Sequence, residues 1–163
     1  MKFAIRKAEL RDLDRIMPLF ARARAFMAAN GNPNQWIGGY PSRELMEAEI
    51  RRGVCYLMEG EGAVQGTFCY IPGSDPTYEV IYHGAWPDDA PYATVHRLAS
   101  AGRASGVADA CFAWCTAQGL PLRADTHTDN FPMQHLLEKN GFVRCGIIHL
   151  ASGAERIAYA RPL

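Results

Sequence analysis

From Phe3 to Lys7 the chain alternates apolar and basic side chains, as an edge strand does, and then Leu10, Leu13, Ile16, Met17, Phe20 and Ala21 recur at the spacing of one helix face. This predicts a strand followed by a long helix. Residues 30–41, Asn-Gly-Asn-Pro-Asn-Gln-Trp-Ile-Gly-Gly-Tyr-Pro, are crowded with turn formers and read as a loop. Ser42 then starts a second helix, with Leu45, Met46, Glu49 and Ile50 at helical spacing, and Gly53 ends it. Residues 54–58 and 64–71 are two strands joined by the tight Glu59-Gly-Glu-Gly turn, an antiparallel hairpin. Residues 78–82 predict a further short strand and residues 92–99 another. After Gly102 and Gly106 a helix runs through Ala110, Cys111, Trp114 and Cys115 to Gly119, and a strand follows at 122–126.

A strand, a crossover helix and a second strand demand a parallel pair with a right-handed connection. Past a last helix near Asn130, residues 143–150 and 154–160 flank Ser152-Gly153 as a closing hairpin. The order β-α-α-β-β-β-α-β-α-β-β gives an α/β (α+β) protein with a mixed sheet. No linker, repeat or low-complexity tract divides it, so residues 1–163 are read as a single domain.

Composition narrows the function. The chain has 163 residues, 48% of them apolar, enough for one real core. Its 17 basic and 17 acidic residues balance, so no field recruits nucleic acid or an anionic membrane. A small-molecule partner fits better. Five cysteines, an odd number inside apolar runs, read as buried thiols of a reducing compartment, and no Cys or His pairing has zinc-site spacing. The sequence starts a folded pattern at once and has no run able to span a bilayer, so a cytoplasmic protein is expected.

The segment Thr128-Asp-Asn-Phe-Pro-Met-Gln-His-Leu-Leu-Glu-Lys-Asn-Gly-Phe-Val-Arg-Cys-Gly is the most telling. Asp129 or Asn130 can cap a helix that tolerates Pro132 in its first turn, Met133, Leu136 and Leu137 form an apolar stripe, and Gly141 supplies a left-handed exit. It resembles the last motif of the GNAT-family N-acetyltransferases, with Asn130, Met133, Leu136, Lys139, Gly141, Phe142 and Gly146 at matching positions. Upstream, Ala101-Gly-Arg-Ala-Ser-Gly-Val-Ala is similar to that family's Gly-rich loop at Arg103, Gly106 and Ala108. Small residues before a helix N-terminus let backbone N–H groups meet an anion.

The resemblance implies the GNAT-type sheet: twisted, mostly antiparallel, with a central parallel pair that splays apart and helices on both faces. It implies acetyl-CoA as cosubstrate and no metal. Arg103, Ala104, Ser105, Gly106, Val107 and Ala108 would hold its pyrophosphate, Leu98 and Ser100 would pair with pantetheine through their backbones, and Asn130 would fix the cofactor arm. Many relatives carry a Tyr as general acid in the last helix. Here that position is Leu137.

Acyl transfer from a thioester needs the amine deprotonated and the leaving thiolate stabilised or protonated. His96 and Arg97 lie on one strand of the expected split, and Arg123, Asp125 and His127 on the other. His96 is the candidate base, with Asp125 in a proton relay and Arg97 and His127 toward substrate. Ion pairing of Asp125 with Arg97 or Arg123 accounts for the same residues, and metal binding by Asp125, His127 and Asp129 is a third reading. In the 30–41 loop, Gln35, Trp36 and Tyr40 combine polar groups with broad apolar faces, as an acceptor wall would.

The expected activity is direct acetyl transfer from acetyl-CoA to a primary amine of a small molecule or peptide. A non-catalytic acyl-CoA-binding domain is the alternative, motivated by Leu137. The closing strands could also pair across a homodimer.

Overall fold

The computed structural model describes residues 2–163. Strand β1 (Ala4–Lys7) leads through a short 3-10 turn into helix α1 (Leu13–Ala29), and α2 is Arg43–Arg51. The hairpin β2 (Cys55–Gly60) and β3 (Ala63–Pro72) precedes β4 (Ala93–Ser100), α3 (Val107–Ala117), β5 (Leu122–Thr126) and α4 (Phe131–Lys139). Strands β6 (Val143–His149) and β7 (Glu155–Arg161) close the chain.

The strands form one seven-stranded sheet in the order β1-β2-β3-β4-β5-β7-β6. Every pair is antiparallel except β4–β5. One core packs Cys111 and Phe112 of α3 and Leu137 of α4 against Phe68, Leu122 and Tyr159. Another packs Ile16 and Phe20 of α1 and Met46 of α2 on Leu57 and Cys69. Helix ends follow local chemistry: the Ser42 hydroxyl accepts the Leu45 N–H at 3.1 Å, and the Asn130 carboxamide accepts that of Met133 at 3.1 Å. Asn130, not Asp129, is therefore the cap, a contact worth about 1 kcal/mol.

One expected strand is absent. Residues 78–82 do not pair as a strand; Pro76–Tyr78 is a 3-10 turn, and among them Tyr82 alone pairs with the sheet's backbone, through a single bridge to Ile147. Asp75 accepts the Thr77 N–H and Pro76 begins the turn, so local capping overrides the apolar pattern of the segment. Tyr78 instead buries its ring with Tyr92, Ile148 and Ala158 in a third small core.

The central pair decides where a site can form. Strands β4 and β5 are in register only at Ala93↔Leu122 and Thr94↔Arg123. Beyond that point β4 carries an irregularity opposite Thr67–Cys69, and Arg97 adopts a left-handed φ of 56°. An extra residue in one strand bends it and increases its twist, which carries β4 away from β5. Among the described residues no helix is long and apolar enough to cross a membrane.

Candidate active site

Where β4 and β5 part, a cleft of about 570 Å³ opens. Val95 and Leu98 of β4, Ala124 of β5, Phe112 of α3 and Met133 and Leu137 of α4 line an apolar part. Gln35, Trp36 and Tyr40 from the 30–41 loop, with Asp75, His96, Asp125 and Arg156, line a polar part.

The apolar part is bordered by backbone that is not paired in the sheet. Ala101 donates its N–H to Gln65 O at 2.9 Å and Ala99 is in register with Thr67, so by antiparallel alternation Leu98 and Ser100 turn their peptide groups off the β3 ladder, toward the split. Next comes residues 101–106 and the start of α3, with Gly106 at φ 79° in the capping position. Among the described residues, no backbone N–H from 103 to 109 donates to a protein acceptor. The helix start sits close on the sheet because Gly66 lacks a side chain: a Cβ there would lie 2.7 Å from Val107 Cγ1.

Arg22 of α1 donates to Ser100 O at 3.1 Å and packs against Gly102, bringing a guanidinium to the loop that also carries Arg103. Nothing in the sequence pattern singled out Arg22, an exposed residue far away in the chain. A run of free N–H groups at a helix N-terminus, with two arginines beside it, fits a pyrophosphate.

Asn130 is buried and bonded at both ends of its carboxamide. Beyond capping α4 it donates to Gln35 Oε1 at 2.8 Å, and Asn32 donates to the same oxygen at 2.8 Å. Asn130 and Gln35, expected on the cofactor and acceptor sides respectively, thus form one junction that pins the loop to the start of α4.

His96 Nε2 lies 3.2 Å from Asp75 Oδ2. That contact, with bonds from the Thr77 side chain and backbone, holds the Asp75 carboxyl down to about 2 despite its partial burial. With Asp75 anionic, the ring donates Nε2–H to it, and the neutral tautomer this selects carries its lone pair on Nδ1. Asp125 accepts the Tyr78 hydroxyl at 2.6 Å. Burial, and then the charge of Asp125, push the Tyr78 phenol well up, so it remains the donor.

Asp125 is therefore not ion-paired to Arg97 or Arg123. Arg97 donates to Glu49 Oε2 at 3.0 Å and to the Tyr40 hydroxyl at 2.8 Å, tying the bulged strand to α2 and the loop. Arg123 is clamped between the Trp86 and Tyr92 rings, 4.1 and 3.9 Å from their centroids, and faces away from the cleft. His127 lies in the turn after β5, outside the cleft lining, where its Nδ1 accepts the Asp129 N–H at 3.0 Å. His127 Nδ1 also lies 3.6 Å from Asp129 Oδ2, but Asp125 is engaged by Tyr78 instead, and among the described residues no three His, Cys, Asp or Glu converge to hold a metal. Trp36 packs edge-on against both Phe20 and Tyr40, so it anchors the loop while lining the cleft.

Sequence reasoning missed Asp75, Tyr78, Glu49 and Arg156. Glu49 left a signal, as a carboxylate on the apolar face of α2; so did Arg156, on the β7 face it shares with Ala158 and Ala160. Arg156 is 6% exposed and donates only to backbone, to Glu155 O and Gln35 O, each at 2.9 Å. Burial lowers its pKa.

The structure is similar to that of a GNAT-family acetyltransferase from Streptococcus agalactiae 2603, at 33% identity over 99% of this chain and 95% of that one, with a TM-score of 0.89. The chain belongs to the GNAT family. Its fold is shared at lower identity by a GNAT acetyltransferase from Listeria monocytogenes 4b F2365 (20%, TM-score 0.71, 99% and 95% covered). A putative acetyltransferase from Staphylococcus aureus Mu50 is similar in fold too (23%, TM-score 0.70, 97% of each chain). No protein-family model and no curated protein matches the chain. Leu137, at the position where the resemblance implies a general-acid Tyr, is 1% exposed and offers no hydroxyl to the cleft.

Proposed function

We propose that this GNAT chain transfers an acetyl group from acetyl-CoA directly to a primary amine of a small molecule or peptide, in the cytoplasm. The observation that carries the reading is a cleft that holds the His96–Asp75 pair beside the β4 edge at Leu98, followed along the chain by a run of free N–H groups at the start of α3. Acetyl-CoA supplies the activated acyl group. The N–H groups from 103 to 109, with Arg103, bind the pyrophosphate; the peptide groups of Leu98 and Ser100 align the pantetheine. His96 Nδ1 accepts the proton of the incoming amine, and Asp75 stabilises the resulting imidazolium. Asp125, oriented by Tyr78, is the acceptor for an ammonium N–H. None of the five cysteines lines the cleft, which favours direct transfer over a thiol-bound intermediate.

Leu137 favours a second reading, a non-catalytic acyl-CoA-binding domain, because the thiolate then has no acid at the family's usual position. Calorimetric titration with acetyl-CoA, CoA and ATP, followed by thiol release against an amine panel, separates the two. Micromolar acetyl-CoA binding with weak ATP binding and amine-dependent thiol release is expected. Binding without turnover selects the second reading, and folded protein that binds no CoA overturns both.

A further inference from the structure

The molecule buries the guanidiniums of Arg123 and Arg156 and half-buries that of Arg97, and two of the three are compensated locally. Arg97 pairs with the Glu49 carboxylate and Arg123 is sandwiched between two aromatic rings. Arg156 has neither: its bonds go to two backbone carbonyls, and among the described residues no carboxylate lies within ion-pairing distance and no ring covers it. A buried charge without a counter-ion is costly, and its retention needs a partner. Arg156 lines the cleft, so its remaining donors can meet a ligand there.

The geometry of the sheet adds a second point. Asp125 is in register with Ala158, two residues beyond Arg156 on the same face of β7, so Asp125 and Arg156 are diagonal neighbours across the β5–β7 pair. Such neighbours stand about 7–8 Å apart at the backbone, and their side chains are engaged separately, Asp125 by Tyr78 and Arg156 by two carbonyls, so a short ligand with a polar group at each end can reach both. The carboxylates of Asp125 and Asp75, with His96, lie toward one end of the ligand, and the guanidinium at the other. From this we propose that the acceptor is a free amino acid, α or with one or two more methylenes, whose carboxylate is bound by Arg156 while its amine faces Asp125 and His96. A planar guanidinium, already oriented by two carbonyls, suits bidentate carboxylate recognition.

The inference rests on the acetyltransferase reading, and its test keeps the two apart. Acetyl-CoA binding to the full chain is first measured by calorimetry. Thiol release is then followed at saturating acetyl-CoA with amino acids, β-alanine and 4-aminobutyrate, each beside its carboxamide, and with amines lacking a carboxylate. At least one acid is expected to exceed its amide by about 100-fold in kcat/KM, because a site built for a charged group rejects the analogue without it. In Arg156→Gln the acid loses most of that advantage through a raised KM, so that the acid-to-amide ratio falls toward one, and Arg156→Lys restores part of it.

Equal use of acid and amide, turnover of carboxylate-free amines only, or a preference that survives Arg156→Gln overturns the inference. So does acetyl-CoA binding with no amino acid acetylated, which leaves the cofactor reading standing; failure to bind acetyl-CoA removes that reading itself. Should Arg156→Gln not fold, the parent's acid-to-amide ratio and Arg156→Lys decide.

Discussion

The two parts of the cleft are built from different materials. The part assigned to the cofactor uses peptide groups and small residues: the exposed edge at Leu98 and Ser100, and the unpaired N–H run before and into α3. The acceptor part uses side chains from distant segments, closed into circuits: Asn130 and Asn32 on Gln35, Arg97 on Glu49 and Tyr40, His96 on Asp75, Tyr78 on Asp125. Backbone recognition depends on the shape of the main chain, so it tolerates side-chain change and suits a ligand that never varies. Side-chain circuits fix one arrangement at a time, and a substitution in one circuit alters which molecule fits.

The largest effect is expected where a circuit also holds the fold. Arg97→Met leaves Glu49 buried with only the exposed Arg52 beside it. Removing one partner of a buried pair costs about 3–5 kcal/mol, a fall of roughly 10 °C in melting temperature for a chain of this size. Thermal unfolding measures it. If the circuits are confined to the acceptor part, acetyl-CoA affinity of the folded variant stays within a few-fold of the parent; a collapse of affinity would show that the two parts are not separable.

On the cofactor side Gly106→Glu should weaken acetyl-CoA binding by about 100-fold, because it places a carboxylate among donors meant for phosphate. The position has φ 79° and open space around its Cβ, so backbone strain of about 1–2 kcal/mol is the main cost to the fold. Gly106→Ala carries the same strain without the charge and should bind nearly as the parent does. Calorimetry on the pair distinguishes anion recognition from mere distortion.

The same contrast explains what could be read from the sequence. Most of the order of elements along the chain, the turn at Gly106 and a helix cap at Asp129 or Asn130 depend on local spacing, and each was legible from residues close together in the chain. The partners of His96, Asp125 and Arg97 come from residues 75, 78 and 49, brought near only by the sheet, and no periodicity announces them. Residues 78–82 were misread as a strand for a related reason. Their apolar pattern is real, but Asp75 and Pro76 wind the chain before it can pair, and Tyr78 serves the core and Asp125 instead.

Within the acceptor part, Asp75 is a positioning residue, and its effect on turnover should be smaller. Asp75→Asn can donate to His96 Nε2 through its amide, which favours the tautomer with Nδ1 protonated. We expect kcat to fall about 10-fold, with acetyl-CoA KM unchanged and the rising limb of the pH–rate profile displaced. A loss with no change in the pH profile would mean that Asp75 only braces the turn at Thr77.

The smallest expected effect is on acid stability, and it follows from the sign of the same interaction. The folded protein holds the Asp75 carboxyl at about 2, below its unfolded value near 4, so the unfolded chain binds a proton more readily. The stabilisation is present in full above about pH 4 and is lost as pH falls toward 2. Asp12, Glu59 and Asp109 are also held low, by Arg6 and by Lys139, and they steepen the acid limb of parent and variant alike. The difference in melting temperature between parent and Asp75→Asn therefore reports on Asp75: it should shrink as pH falls from about 4 toward 2. A difference that stays flat between pH 4 and 2 would mean that Asp75 gains nothing from its charge, and the account of its hydrogen bonds from His96 and Thr77 would have to be abandoned.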